Sequence, residues 1–411
     1  MKVALVHDYI KEYGGAERVL EVLHEIWPDA PVFTLVYLPE FLGPHQKRFA
    51  SWDIRTSFLQ HIPLKAKLIS PFRLIVPFVF KTFDLSKYDI VIVSATGAYT
   101  PNNVNCHPEH KRRISLQSFG DSSVASLPQN DNKRGSIHIC YCHTPPRYLY
   151  GYATARDWKK NIVFRAIGEI ANHFLRLIDF KSSQNVDYFI ANSRNVAGRI
   201  KKFYRKDSKV IYPPVDMDGR GLTFHHLSSK DYYLAGGRLA RPKHIDLIVK
   251  ACQELKVSLK VFGRGFGGYG KELGIRNQES GGNVIHNSSF MIHNSNIEFI
   301  GEVTDEEKLE LMRNAKAFIF AAEDEDFGIT PVEAMSVGTP VIAFASGGVT
   351  ETIVDRKTGI LYHFNDIYHL SEAIHKFNMT KFDKKFIIGS AQKFAKERFK
   401  KEIKEFVNRH C

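Results

Sequence analysis

The densest concentration of reactive side chains in this 411-residue chain is Glu323-Asp324-Glu325-Asp326-Phe327-Gly328-Ile329-Thr330-Pro331-Val332-Glu333. Four adjacent carboxylates repel one another, so the stretch suits a site completed by hydroxyl donors or a counter-cation. Ala317-Phe318-Ile319-Phe320-Ala321 precedes it as a short apolar run of the kind a buried parallel strand needs. Thr330, Pro331 and Glu333 read as N-cap, first helical residue and N3 glutamate. The acidic loop is therefore expected where a strand's carboxyl end meets a helix N-terminus, the place in open α/β sheets where backbone N–H groups hold phosphate or sugar oxygens. A capping box would account for Glu333 alone and leaves the acid cluster unexplained.

Three further groups could share such a site. Gly14-Gly15, after the strand-like Val3-Ala4-Leu5-Val6-His7, opens a helix patterned by Val19, Leu20, Leu23 and Ile26. Glycines there let backbone approach a ligand closely. Arg238 and Lys243 follow the strand and glycine turn Tyr232-Tyr233-Leu234-Ala235-Gly236-Gly237, and could clamp a diphosphate, the arginine by its fork and the lysine as a point charge. His143 closes the strand Ile137 to Cys142 ahead of Thr144-Pro145-Pro146. A lone histidine is usually structural, and a basic loop is often only solvated. Gly263-Arg264-Gly265-Phe266-Gly267-Gly268 satisfies G-x-G-x-x-G and raises a dinucleotide-dependent oxidoreductase, but Arg276 to Ser295 offers no second strand ending in Asp or Glu. Cys106, His107, Cys140, Cys142 and His143 fit no structural-zinc spacing.

The elements that must position these residues alternate between apolar strands and amphipathic helices, in a chain long enough for two domains of about 200 residues. Hydrophobic residues at 44% and charged residues at 25% describe a globular protein. No run of about 18 apolar residues suggests a transmembrane helix, and the sequence enters a strand at once, so a cytoplasmic protein is expected. Five scattered cysteines argue against a disulfide framework. The 57 Lys and Arg against 44 Asp and Glu give +13, which favours polyanions, anionic lipid or phosphorylated substrates. No nucleic-acid-binding module is recognisable, so nucleic acid is not an expected partner. From Trp52 to Tyr88, Arg55, Lys65, Lys67, Arg73, Lys81 and Lys87 interleave with Phe58, Leu59, Ile62, Leu64, Phe72, Leu74, Ile75 and Phe78, which suits an anionic membrane surface or a pair of helices facing their own core. Pro101 to Ser136 reads as an inserted loop or hairpin.

At Glu325, seven residues, Glu333 and Ala334-Met335, the chain resembles the GT-B glycosyltransferases of family four, glycosyltransferase group 1. The resemblance spans nearly the whole chain and departs from the family at 101–136 and 267–295. It implies an α/β fold of two Rossmann-like, doubly wound domains facing a central cleft. Residues 1–216 would form the acceptor side and 217–390 the nucleotide-sugar side, with 391–411 a helix returning to the first domain. By resemblance, Glu325 faces the transferred sugar, Glu333 holds the ribose, and Phe327, Gly328, Ile329 and Thr330 meet sugar and phosphate. Gly14 and Gly15 face acceptor and diphosphate, His143 of a His-Thr-Pro points at the reacting sugar, Arg238 and Lys243 clamp the diphosphate, and Gly263 lies near the nucleotide. The catalytic set is Arg238, Lys243, Glu325 and His143.

The family is retaining, with front-face attack, and no covalent nucleophile is assigned. Without a well-placed Asp-x-Asp motif, the diphosphate charge falls to Arg238, Lys243 and helix N-termini, so neither metal nor cofactor is expected beyond the nucleotide-sugar. His7-Asp8-Tyr9, Gly14 to Val19 and Cys142 to Tyr148 look most like bacterial mannosyltransferases of surface polysaccharide synthesis. That implies GDP-mannose and a saccharide or polyprenyl-diphosphate-linked acceptor, at the inner face of the plasma membrane. A UDP-sugar transferase, a nucleotide-sugar epimerase of the same fold and a non-catalytic sugar-nucleotide binder remain open.

Overall fold

The computed structural model describes residues 1–106, 136–154, 162–217, 231–266, 269–273 and 296–410. Most of the 101–136 insertion and of the 267–295 loop lies outside the described residues, as do His107 and residues 218–230. Seven parallel strands form the first sheet: β1 (Val3–His7), β2 (Val32–Thr34), β3 (Ile54–Thr56), β4 (Ile90–Ala95), β5 (Ile137–Cys142), β6 (Tyr188–Ala191) and β7 (Ser208–Val210). Their order is β3-β2-β1-β4-β5-β6-β7. β1 and β4 are buried along their whole lengths, because helices cover both faces of a parallel sheet.

The second sheet repeats the plan with β8 (Tyr233–Gly236), β9 (Leu259–Phe262), β10 (Ile297–Gly301), β11 (Phe318–Phe320), β12 (Val341–Phe344) and β13 (Gly359–Tyr362). Its order is β10-β9-β8-β11-β12-β13. Both domains are thus Rossmann-like and doubly wound. In each, the winding reverses between the first strand and the fourth, and a crevice opens there at the strands' carboxyl ends. In the first domain that edge carries the loops after His7 and Ala95, with His143 one strand further. In the second it carries Gly236 to Lys243 and the acidic loop.

The last helix, Lys396–His410, turns Phe399, Ile403 and Val407 to one face and buries them with Leu5, Leu20, Leu23 and Tyr141 in the first domain's core. Each such side chain stabilises the docked helix by about 2 kcal/mol. Lys396 and Lys400 add ion pairs to Glu25 at 2.6 and 2.9 Å. The chain therefore crosses back to its first domain. Among the described residues no helix is long and apolar enough to cross a membrane.

Candidate active site

Two glycine turns meet on the second domain. Gly263, at φ +120°, lies so close to Gly237 that a Cβ would overlap the Gly237 carbonyl oxygen, so this crossing demands glycine whatever the ligand. The G-x-G match is explained by that packing without a dinucleotide. Lys243, on the short turn Arg241–Lys243, places Nζ 2.5 Å from Glu325 Oε2. Burial alone would raise the Glu325 carboxyl pKa, but Lys243 and Arg147 outweigh it and hold it below the usual value. Glu323 meets His244 at 3.3 Å. Glu325 thus has a counter-cation of its own.

One detail of the sequence reading is corrected here. The helix runs Ile329–Ser336 with Gly328, at φ +90°, as N-cap and no side-chain cap, so Thr330 and Pro331 lie inside the first turn. Glycine takes the left-handed entry that a threonine cap would not supply. Its first amides keep no side-chain partner and point at the cleft's edge, where an oxyanion can use them. Glu333 makes no capping box. Its buried Oε1 accepts from Arg18 Nη1 at 2.5 Å and Lys308 Nζ at 2.9 Å, and both cations also reach Asp305 Oδ1, at 2.6 and 2.9 Å. Burial pushes the Glu333 carboxyl up, yet Lys308 and Arg18 leave it lowered and charged.

Across the cleft, the helix Gly15–Ile26 starts at Gly14, whose N–H donates to Glu17 Oε2 at 2.9 Å. A Cβ on Gly15 would stand 2.7 Å from Ile329 Cδ1, so the paired glycines let the two domains touch where phosphate is expected. His143 is buried; its N–H donates to Ala95 O at 2.9 Å and its Nε2 lies 3.0 Å from Ser94 Oγ. Burial, and secondarily His7, lower its pKa to about 3, so the ring is neutral at physiological pH. Arg238 Nη1 reaches Glu12 Oε1 of the first domain at 3.0 Å, and its guanidinium lies over the Phe266 ring. Arg238, Lys243, Glu325, Gly328 to Thr330 and Glu333 therefore lie on the second domain's side, with Gly14, Gly15 and the His143 loop on the other, whereas the Phe327 side chain is buried in the core against Tyr212 and Phe394.

Residues 225–393 match the family described as glycosyl transferases group 1. Along most of its length the fold matches solved glycosyltransferases. HepE of Anabaena in complex with UDP aligns at TM-score 0.65 and 17% identity, over 99% of this chain and 100% of that one. The apo lipopolysaccharide outer core galactosyltransferase WaaB aligns at 0.60 and 16%, over 100% of both chains. The fold is GT-B, and its second domain carries the group 1 match. Among curated relatives, the alpha-1,3/1,6-mannosyltransferase ALG2 of Rhizomucor pusillus is 26% identical over 283 residues, 60% of this chain and 59% of the relative. Human ALG2 is 25% identical over 296 residues, 66% of this chain and 67% of the relative. The chain thus spans about three fifths to two thirds of the length of these relatives.

The first domain also holds the acidic loop of the second. Arg147 Nη2 donates to Asp324 O at 2.7 Å and pairs with Asp326 Oδ2 at 2.9 Å. Arg199, on the helix Arg194–Tyr204 and only 4% exposed, reaches Asp326 Oδ1 at 2.7 Å, Asp324 O at 3.1 Å and Thr144 Oγ1 at 3.0 Å. Ser193 Oγ donates to Asp326 O at 2.6 Å, and Glu351 accepts from the Arg194 and Asn195 amides at 2.8 and 2.9 Å. Asp326 thus serves the domain contact, while Glu325 beside it faces Lys243. Gly347 and Gly348 pack so tightly on Glu325 and Asp326 that side chains there would strike loop backbone. The sequence reading missed Glu12, Arg18, Arg199, Asp305 and Lys308 as site neighbours. Cys140 and Cys142 are buried free thiols and Cys106 is buried as well, and no group of three metal-ligating side chains forms among the described residues.

Proposed function

We propose that this protein is a group 1 glycosyltransferase that moves mannose from GDP-mannose to a saccharide or polyprenyl-diphosphate-linked acceptor, with retention at the anomeric carbon. The observation that carries the reading is the wall made by Arg238, the Lys243–Glu325 pair, the uncapped helix start at Gly328 and the charged Glu333, facing Gly14, Gly15 and His143. The anomeric C–O bond to the diphosphate breaks while the acceptor oxygen attacks the same face, and the acceptor proton passes to the departing phosphate oxygen. Arg238, Lys243 and the Gly328 and Ile329 amides meet the charge that develops on the diphosphate, which leaves no role for an added divalent metal. Glu325 orients mannose hydroxyls, Glu333 accepts from the ribose hydroxyls, and the neutral His143 hydrogen-bonds the reacting sugar without adding charge.

Guanine would sit at the Gly263 turn, where Gly263 N–H donates to Gly301 O at 2.6 Å and Arg264 lies 3.8 Å from Glu302. Glu302 there is a carboxylate able to accept from guanine's N1–H and N2–H edge. Synthesis of bacterial surface polysaccharide at the inner face of the plasma membrane is the setting that the His7 to Val19 and Cys142 to Tyr148 motifs support. A UDP-sugar donor is the second reading, favoured by the likeness to HepE solved with UDP. Calorimetry separates them: tight binding of GDP with none of UDP is expected, and the reverse preference refutes GDP-mannose. Turnover of nucleotide-sugar to its epimer without acceptor would refute transfer itself.

A further inference from the structure

The helix Ile162–Gln184 buries Leu175 and Asp179 but leaves Ile167, Ile170, Phe174 and Leu177 exposed at 60, 63, 61 and 57%. Their spacings of three, four and three residues put them in one row about 15 Å long on the helix's outer face. A second apolar group stands out from the first domain: Phe58, Leu64, Leu74 and Phe78 are more than half exposed. The two groups are joined. The short helix Val76–Phe80 and the long helix both pack on the turn Pro101–Asn103, and Asn103 Nδ2 donates to Pro77 O at 2.6 Å. Arg73 lies over the Tyr148 ring at 4.4 Å, and Tyr148 O accepts from Asn172 of the long helix at 3.4 Å.

Two exposed apolar groups anchored on one buried turn mark an interaction face. The charge says what it meets. From Ile54 to Phe83 the chain carries Arg55, Lys65, Lys67, Arg73 and Lys81 and no Asp or Glu. Such a segment repels a second copy of itself and is attracted to an anionic surface. Both ridges border the loop that begins at His143 and holds Arg147, so the face runs up to the acceptor wall of the cleft.

We propose that the Ile167-Ile170-Phe174-Leu177 row and the Phe58 to Phe78 ridge together form a docking face for an anionic lipid bilayer, which presents a lipid-linked acceptor to the His143 side of the cleft. The docking face stands on exposure and charge; only the delivery of acceptor rests on the reading proposed above. The test is co-sedimentation of the full chain with phosphatidylcholine vesicles, with and without 30 mol% phosphatidylglycerol, at low and high salt, for wild type and the Ile170→Ser/Phe174→Ser and Lys67→Glu/Lys81→Glu variants. Expected is binding to the anionic vesicles that salt weakens, at least tenfold weaker binding by each variant, and unchanged melting and GDP affinity, because the altered side chains are exposed. Equal binding by variants and wild type, no preference for anionic lipid, or a dimer in light scattering that Ile170→Ser/Phe174→Ser dissociates would each overturn the proposal. Salt-sensitive, variant-sensitive vesicle binding without transfer to a polyprenyl-diphosphate sugar would leave the face standing and remove the lipid-linked acceptor.

Discussion

Asp326→Ala isolates the contact by which the first domain grips the donor loop. The substitution removes the carboxylate shared by Arg147 and Arg199 at 2.9 and 2.7 Å and leaves Arg199, 4% exposed, without its counter-charge. Breaking a buried pair from one side costs about 3–5 kcal/mol. Arg199 keeps Thr144 Oγ1 and Asp324 O as acceptors, which places the loss near the lower end, about 3 kcal/mol. The partners belong to domains with separate cores, so the penalty falls on closure of the cleft rather than on folding. About 3 kcal/mol is roughly a hundredfold in an equilibrium constant. Steady-state kinetics with a fixed acceptor should then show kcat/KM lowered by about that factor. Calorimetric affinity for the free nucleotide, which contacts the second domain, should barely change, and Asp326→Glu should recover part of the loss. An Asp326→Ala enzyme with normal kcat/KM refutes the clamp. So does one whose nucleotide affinity falls in parallel, because the loop itself would then have collapsed.

Glu333→Gln should weaken donor binding at least tenfold in calorimetry, because the uncharged amide no longer holds Arg18 and Lys308 or orders the ribose, while Arg238→Ala should lower kcat for want of diphosphate charge compensation. Arg238→Ala should melt near wild type, Glu333→Gln should melt lower because Arg18 and Lys308 lose part of their counter-charge, and near-normal turnover in either removes it from the site. The pH profile follows from two groups. His143, lowered to about 3, stays neutral from pH 5 upward and should contribute no inflection there. Glu325, lowered by Lys243 and Arg147, should stay charged through the same range, so its contribution to activity and stability is present above the ordinary glutamate value and is lost only as pH falls through the lowered one. An inflection in kcat/KM near pH 6.5 that His143→Asn abolishes would contradict the buried neutral ring.

What the sequence showed of the site was its second-domain wall, and the reason is physical. Glu325, Glu333, Arg238 and Lys243 sit on loops fixed by local chemistry: an apolar strand, a glycine turn, a helix start. Each leaves a short, readable signature. The partners that give those residues their charge state leave none. Arg18 meets Glu333 across 315 positions and Arg199 meets Asp326 across 127, and a pairing at such separation depends on how two finished domains face each other. The same limit explains the helix start at Gly328. Thr330-Pro331-Val332-Glu333 satisfies a capping pattern locally, but Arg18 and Lys308 draw the Glu333 carboxylate toward the cleft, and the left-handed glycine takes over the entry. It also explains the acid cluster, whose crowding suggested a ligand. Asp326 and the loop carbonyls are met by first-domain cations, so of the four carboxylates it is Glu325 that lies against Lys243. The cluster is therefore two devices in consecutive residues, a carboxylate paired within its own domain and a contact between domains, and only the folded pair of domains separates them.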